Sequence, residues 1–128
     1  MVEDIMDYRV KKYLLVNENV NMHKSLKILT DKKLGILIVR NKNKITTGII
    51  TDGQIRRFNQ KNLNLQLLPV RQIMTKQPIS IDKNELAAKA LSLMNRKKIT
   101  SLLVNHKKKP KITIGVIHIH TILQSNIS

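Results

Sequence analysis

The chain has 128 residues, of which 41% are apolar and only 2% aromatic, and a formal net charge of +16. This length allows one compact domain, or two closely packed halves, around an aliphatic core. The lack of cysteine excludes disulfides and thiol chemistry, and no apolar run approaches the ~20 residues that a membrane-spanning helix needs.

The start, Met1 to Asp4, is acidic and has no apolar signal core, so the expected compartment is the cytoplasm. Tyr13 to Val16 reads as a short strand. Asn21 is a candidate cap for a helix in which Met22, Leu26 and Leu29 recur at helical spacing. Gly35 ends that pattern. Ile36 to Val39 is a buried-type strand, Arg40 to Lys44 a polar turn, Thr46 to Thr51 the next strand, and Gly53 to Phe58 a short helix. Asn59 to Leu68 is a connector. Thr75 to Pro78 is then a turn into the strand Ile79 to Ile81, and Asp82 with Glu85 has the spacing of a capping box. Leu86, Ala90, Leu93 and Met94 form a helical stripe. Ser101 to Val104 and Lys111 to His118 are strands around a lysine-rich loop, and His120 to Ser125 is a closing helix.

This order is a duplication. Val2-Glu3-Asp4-Ile5-Met6 returns as Val70-Arg71-Gln72-Ile73-Met74, an offset of 68 residues. Leu26, Leu29, Leu34 and Val39 return as Leu91, Met94, Ile99 and Val104 at an offset of 65, and Gly48 returns as Gly115 at 67. The expected fold class is α/β: two βαββα repeats, residues 1–68 and 69–128, packed about a pseudo-twofold axis with related clefts between them.

The charge has two readings. A polyanion partner is one. The other is a solvated surface in a chain rich in Lys, Asn and Ile, and the scatter of the lysines favours it. With almost no aromatic side chains for stacking, nucleic acid is not the expected partner.

Gly48 to Arg57 is the stretch with most chemistry. A strand glycine permits close approach to the backbone. Thr51 offers a hydroxyl, the helix starting near Asp52 and Gly53 offers free amides, and Arg56 and Arg57 offer charge-assisted contacts. These are the parts of a phosphate site. The plainer reading is a strand, a cap at Asp52 and a solvated helix start. His118 and His120 are spaced to share a strand face, where they line a cleft rather than hold a metal, since no carboxylate or cysteine stands near. No catalytic set emerges among eight carboxylates, no phosphate loop and no nucleophile elbow, so no cofactor is expected and no chemistry by this chain alone.

These landmarks together resemble a tandem CBS domain pair. Leu34-Gly35, the run Gly48 to Arg57, Lys98 to Leu102 and Gly115 to His120 are similar to the regulatory end of arabinose-5-phosphate isomerases of the KpsF/GutQ type, over about Val2 to Ile127. The resemblance implies a regulatory and assembly role beside a sugar-isomerase (SIS) catalytic domain, which interconverts ribulose 5-phosphate and arabinose 5-phosphate for Kdo and lipopolysaccharide synthesis. It also implies a homodimer. CBS sites commonly place a hydroxyl after the strand and an aspartate three residues on. Here Thr51 keeps the hydroxyl and Gln54 takes the aspartate position, while His118 and Thr121 stand at the second pair. Without those carboxylates, and with Asp52 the one opposing carboxylate, an anionic ligand such as CMP-Kdo or a sugar phosphate suits the ligand-binding set (Gly48, Thr51, Asp52, Gly53, Gln54, Arg56, Arg57, His118, His120 and Thr121) better than an adenosine nucleotide. The alternatives are a purely structural pair, a free-standing sensor of adenosine nucleotides, and non-specific nucleic-acid binding.

Overall fold

The computed structural model describes residues 1–32, 35–61 and 64–125. Leu34 and Ile127, which bear on the resemblance, lie outside them, as do two connector residues. In chain order the elements are α1 (Val2–Ile5), β1 (Leu14–Asn17), α2 (Met22–Lys32), β2 (Ile36–Arg40), β3 (Thr46–Thr51), α3 (Asp52–Gln60), α4 (Val70–Ile73), β4 (Thr75–Lys76), β5 (Ser80–Asp82), α5 (Ala87–Lys97), β6 (Ser101–His106), β7 (Lys109–His118) and α6 (Ile119–Gln124). Short 3-10 turns lie at Val10–Lys12 and Leu65–Leu67.

The chain forms two compact units, Lys11–Pro78 and Met1–Val10 with Ile79–Ser128. The repeats follow one another along the chain, yet the units do not coincide with residues 1–68 and 69–128. Each unit takes the sheet of one repeat and the Val-x-x-Ile-Met lead-in of the other.

In the unit Lys11–Pro78, four strands run in the order β1-β2-β3-β4, with β1 and β2 parallel and the rest antiparallel. The parallel pair is joined through α2, as parallel strands require a crossover. Asn21 Oδ1 accepts the His23 amide at 3.2 Å and caps α2, as its position suggested. Gly35 has φ +75, a conformation that side chains disfavour, and returns the chain into β2. Asn41 Oδ1 then accepts the amides of Asn43 and Ile45 and shapes the turn into β3. Met22, Leu29, Leu37, Val39 and Ile50 pack with Leu65, Val70 and Ile73 in one core. The connector is thus more than a link, because Leu65 is part of that core.

The unit Met1–Val10 with Ile79–Ser128 repeats this plan in a sheet of order β5-β6-β7. Val39 faces Gly48 in the first sheet and Val104 faces Gly115 in the second. Asp7 bridges Val116 as Thr75 pairs with Ile49. Val2 packs with Ile81, Ala90, Met94, Leu102, Val104, Ile117 and Ile122. Burying each such side chain contributes about 1.5–3 kcal/mol, so these lead-ins are structural members of their cores.

Three expectations are corrected here. Asp82 and Glu85 do not cap a helix: Asp82 Oδ1 accepts the Asn84 amide at 2.8 Å, its carbonyl accepts that of Glu85, and the helix begins only at Ala87. A tight Asx turn at the strand's end competes with helical capping and prevails. Leu86 consequently falls before the helix and is 65% exposed. The lysine run is not all loop, because β7 begins at Lys109 and contains Pro110 and Lys111, where Asn105 Nδ2 donates to the Pro110 carbonyl at 2.9 Å. Among the described residues, no helix is long and apolar enough to cross a membrane.

Candidate functional site

The end of β3 delivers Thr51 in an extended conformation, φ −123 and ψ 159, as the cap of α3. Its Oγ1 accepts the Gln54 amide at 3.3 Å, and Gln54 Oε1 accepts the Thr51 amide at 2.9 Å, a reciprocal capping box. The Thr51 hydroxyl also donates to Gln54 Oε1 at 3.2 Å. Gln54 is only 6% exposed, and its Nε2 donates to the Ile73 carbonyl at 3.2 Å and to Thr75 Oγ1. A side-chain amide has two donors and two lone pairs. All four have partners, so Gln54 faces inward and joins the start of α3 to the α4–β4 lead-in.

Gly53 occupies the next turn. A Cβ added to it would lie 3.6 Å from Arg57 Nη1 and 3.9 Å from Thr51 Oγ1. A guanidinium and a hydroxyl therefore converge on the open side of Gly53, at the end of the nine-residue α3 where backbone amides lack helical partners. Asp52 and Arg56 are exposed at this end of α3.

Gly48 has a different role from the one its place in a strand suggested. A Cβ there would lie 2.6 Å from Met74 Sδ and 2.8 Å from the Thr75 carbonyl. The group that closes on the backbone is the lead-in methionine, which leaves that face of Gly48 no room for a ligand. Gly115 is closed in the same way by Met6: a Cβ there would lie 2.5 Å from its sulfur and 3.2 Å from the Asp7 carbonyl.

In the second repeat, His118 ends β7 and is the N-cap of the six-residue α6. Ser101 Oγ lies 3.0 Å from His118 Nδ1. His120 lies in α6, and the two imidazoles stack with centroids 5.6 Å apart and planes 13° from parallel. They meet face to face across a strand–helix junction, rather than side by side on a strand. Thr121 is half-buried in the same helix. Among the described residues, no group of three or more His, Cys, Asp or Glu side chains is placed to hold a metal.

The first-repeat set thus divides. Thr51, Gly53 and Arg57 come together, Gln54 backs them from inside, Asp52 and Arg56 flank them, and Gly48 belongs to the packing of Met74. His118, His120 and Thr121 gather in the other unit. Met6, Ile73, Met74, Thr75 and Ser101 were not singled out as partners of these residues. The recurrence of Ile-Met together with the strand glycine was the signal available for Met6 and Met74.

Comparison with known proteins agrees with this architecture. The sequence pattern of the CBS domain matches residues 2–61 and 70–127, and the chain belongs to the CBS domain family. Over 114 residues it is 36% identical to an uncharacterized protein of Rickettsia prowazekii, a match covering 89% of this chain and 34% of that protein. Over 112 residues it is 30% identical to arabinose 5-phosphate isomerase KdsD of Escherichia coli, covering 88% of this chain and 33% of the enzyme. The chain therefore spans about one third of the length of these relatives. Among solved structures, it superposes on an uncharacterized conserved protein of Pyrococcus horikoshii with a TM-score of 0.83 at 21% identity, over 99% of this chain and 92% of that one. The CBS pair of MJ0100, solved with 5'-methylthioadenosine and S-adenosyl-L-methionine, gives 0.82 at 19% identity over 98% and 94%. CBSX2, solved with AMP, gives 0.81 at 20% over 97% and 93%.

Proposed function

We propose that this chain is a ligand-responsive regulatory and assembly module of an arabinose 5-phosphate isomerase, working in the cytoplasm beside a SIS catalytic domain and as a homodimer. Its ligand is an anionic sugar phosphate or nucleotide, with CMP-Kdo as the feedback candidate. The observation that supports this most directly is the convergence of Arg57 Nη1 and Thr51 Oγ1 beside Gly53 at the start of α3. A phosphate there would meet the Arg57 guanidinium and the Gly53 amide, since the Asp52 amide donates to the Gly35 carbonyl and the Gln54 amide to Thr51 Oγ1, and Arg56 would add charge from the same helix against the exposed carboxylate of Asp52. The match to KdsD supplies the enzyme context. His118, His120 and Thr121 form the corresponding surface of the second repeat, where imidazole N–H groups meet ligand oxygens. Regulation requires the ligand to bind two conformations of the module unequally.

A second reading is the sensing of adenosine compounds, and the ligands of CBSX2 and MJ0100 favour it. Against it stands Gln54, whose amide is wholly engaged within its own unit and has no bond left for a ribose diol.

A thermal-shift series with CMP-Kdo, arabinose 5-phosphate, AMP, ATP and sulfate tests both. A ligand at 100 times its Kd stabilises the fold by about 2.7 kcal/mol. A response to CMP-Kdo or arabinose 5-phosphate beyond that to sulfate supports the first reading. A response to AMP or ATP alone supports the second, and a response no greater than to sulfate contradicts both.

A further inference from the structure

The Thr51 hydroxyl has one proton. In the structure that proton goes to Gln54 Oε1 at 3.2 Å. A phosphate arriving at the start of α3 brings lone pairs and needs donors, so it competes with Gln54 for the same proton. If the proton turns outward, Gln54 Oε1 keeps only the Thr51 amide. At 6% exposure no bulk water replaces the lost donor, and an under-satisfied buried amide is costly. The other end of that amide holds the Ile73 carbonyl and Thr75 Oγ1, the points at which α4 passes into β4. Thr75 also lies beside Gly48, where Met74 is clamped. Reorienting the amide to recover a donor therefore loosens its hold on the lead-in. At the matching position of the second repeat stands Thr121, whose side chain carries no amide to span two sides in this way.

We infer that Gln54 is a positioning residue that sets anion binding at the start of α3 against anchoring of the α4–β4 lead-in, with the Thr51 proton as the shared element. This rests on the anion site proposed above and gives its regulation a direction: an occupied site releases the lead-in. Linkage is reciprocal, so weakening the anchor must tighten the anion.

Titration of inorganic phosphate into the intact chain by calorimetry tests this. Thr75→Val removes one acceptor from the Gln54 amide at an exposed residue and should bind phosphate about fivefold more tightly, the equivalent of one hydrogen bond. In Gln54→Met the competitor for the proton is gone, and adding Thr75→Val should have no further effect on phosphate. Wild-type amides at Thr75 and Lys76 should exchange hydrogen faster with phosphate bound. Phosphate that binds the wild type but binds Thr75→Val equally or more weakly overturns the coupling and leaves the site intact. Phosphate that binds none of the variants overturns the site and the coupling together. Should Gln54→Met not fold, the wild type and Thr75→Val decide the matter alone.

Discussion

Met74 closes on Gly48 so tightly that a single added methyl group would sit 2.6 Å from its sulfur. The same contact joins Met6 to Gly115. In both, the methionine comes from the lead-in of one repeat and the glycine from the sheet of the other, which makes the duplicated Ile-Met pair a packing motif.

The two glycines should nevertheless respond differently to alanine. At Gly48 the new Cβ would also meet the Thr75 backbone carbonyl at 2.8 Å, while at Gly115 the Asp7 carbonyl is 3.2 Å away and the near atoms are the movable Met6 side chain. Overpacking of this kind costs about 1–3 kcal/mol, and Gly48→Ala should fall toward the upper end. Urea unfolding is the measurement. Met6→Ala should relieve much of the Gly115→Ala loss, whereas Met74→Ala should relieve Gly48→Ala only in part.

Gly53→Ala should separate stability from binding. The added methyl makes ordinary contacts with Arg57 Nη1 and Thr51 Oγ1, and a helical Gly→Ala change adds about 0.5–1 kcal/mol of stability. The methyl occupies the point on which those groups converge, so affinity for an anionic ligand should fall. Chemical denaturation and calorimetry on the same variant read the two effects.

Much of the fold was legible because it rests on period and punctuation. Met22, Leu26 and Leu29 mark one helix face, Gly35 stands beyond that helix with a positive φ, and the strand read over Thr46 to Thr51 is β3. The Asp82–Glu85 spacing misled because a capping box and an Asx turn share their first residue type, and only backbone geometry decides between them. The site was legible as a set of residue types, and less so as a geometry. Nothing local to Gln54 shows that its partners lie at Ile73 and Thr75, 19 and 21 residues away. The exchange of lead-ins between units was likewise invisible to a reading that follows the chain.

Gln54→Leu should destabilise more than Thr121→Val at the matching position. The leucine leaves the Thr51 amide and the Ile73 carbonyl without partners in a buried setting, a loss of about 2 kcal/mol or more. Thr121→Val exchanges a half-buried hydroxyl for a methyl and should cost less than about 1 kcal/mol. Comparable losses in thermal unfolding would contradict the asymmetry between the repeats.

Asp82 gives an acid-side signature. The Asn84 amide, which donates to its carboxylate, holds its pKa below the usual value of 3.8 against a smaller opposing effect of desolvation. A carboxylate whose folded pKa is lowered contributes stability that is fully present above its unfolded value and is lost as pH falls through the folded value. The stability difference between wild type and Asp82→Asn should therefore be constant near neutrality and shrink in the acid range below 3.8. Denaturation curves across that range measure it, and a difference independent of pH would contradict the assignment.

On this reading, the start of α3 receives an anionic sugar phosphate or nucleotide. The most direct measurement is a titration of the intact, 15N-labelled chain with CMP-Kdo, followed at the backbone amides from Thr51 to Arg57 and compared with an equal titration of sulfate. Saturable shifts are expected at these amides and at Thr75, at concentrations where sulfate produces none. Shifts confined to the scattered lysines, or equal for CMP-Kdo and sulfate, would contradict it.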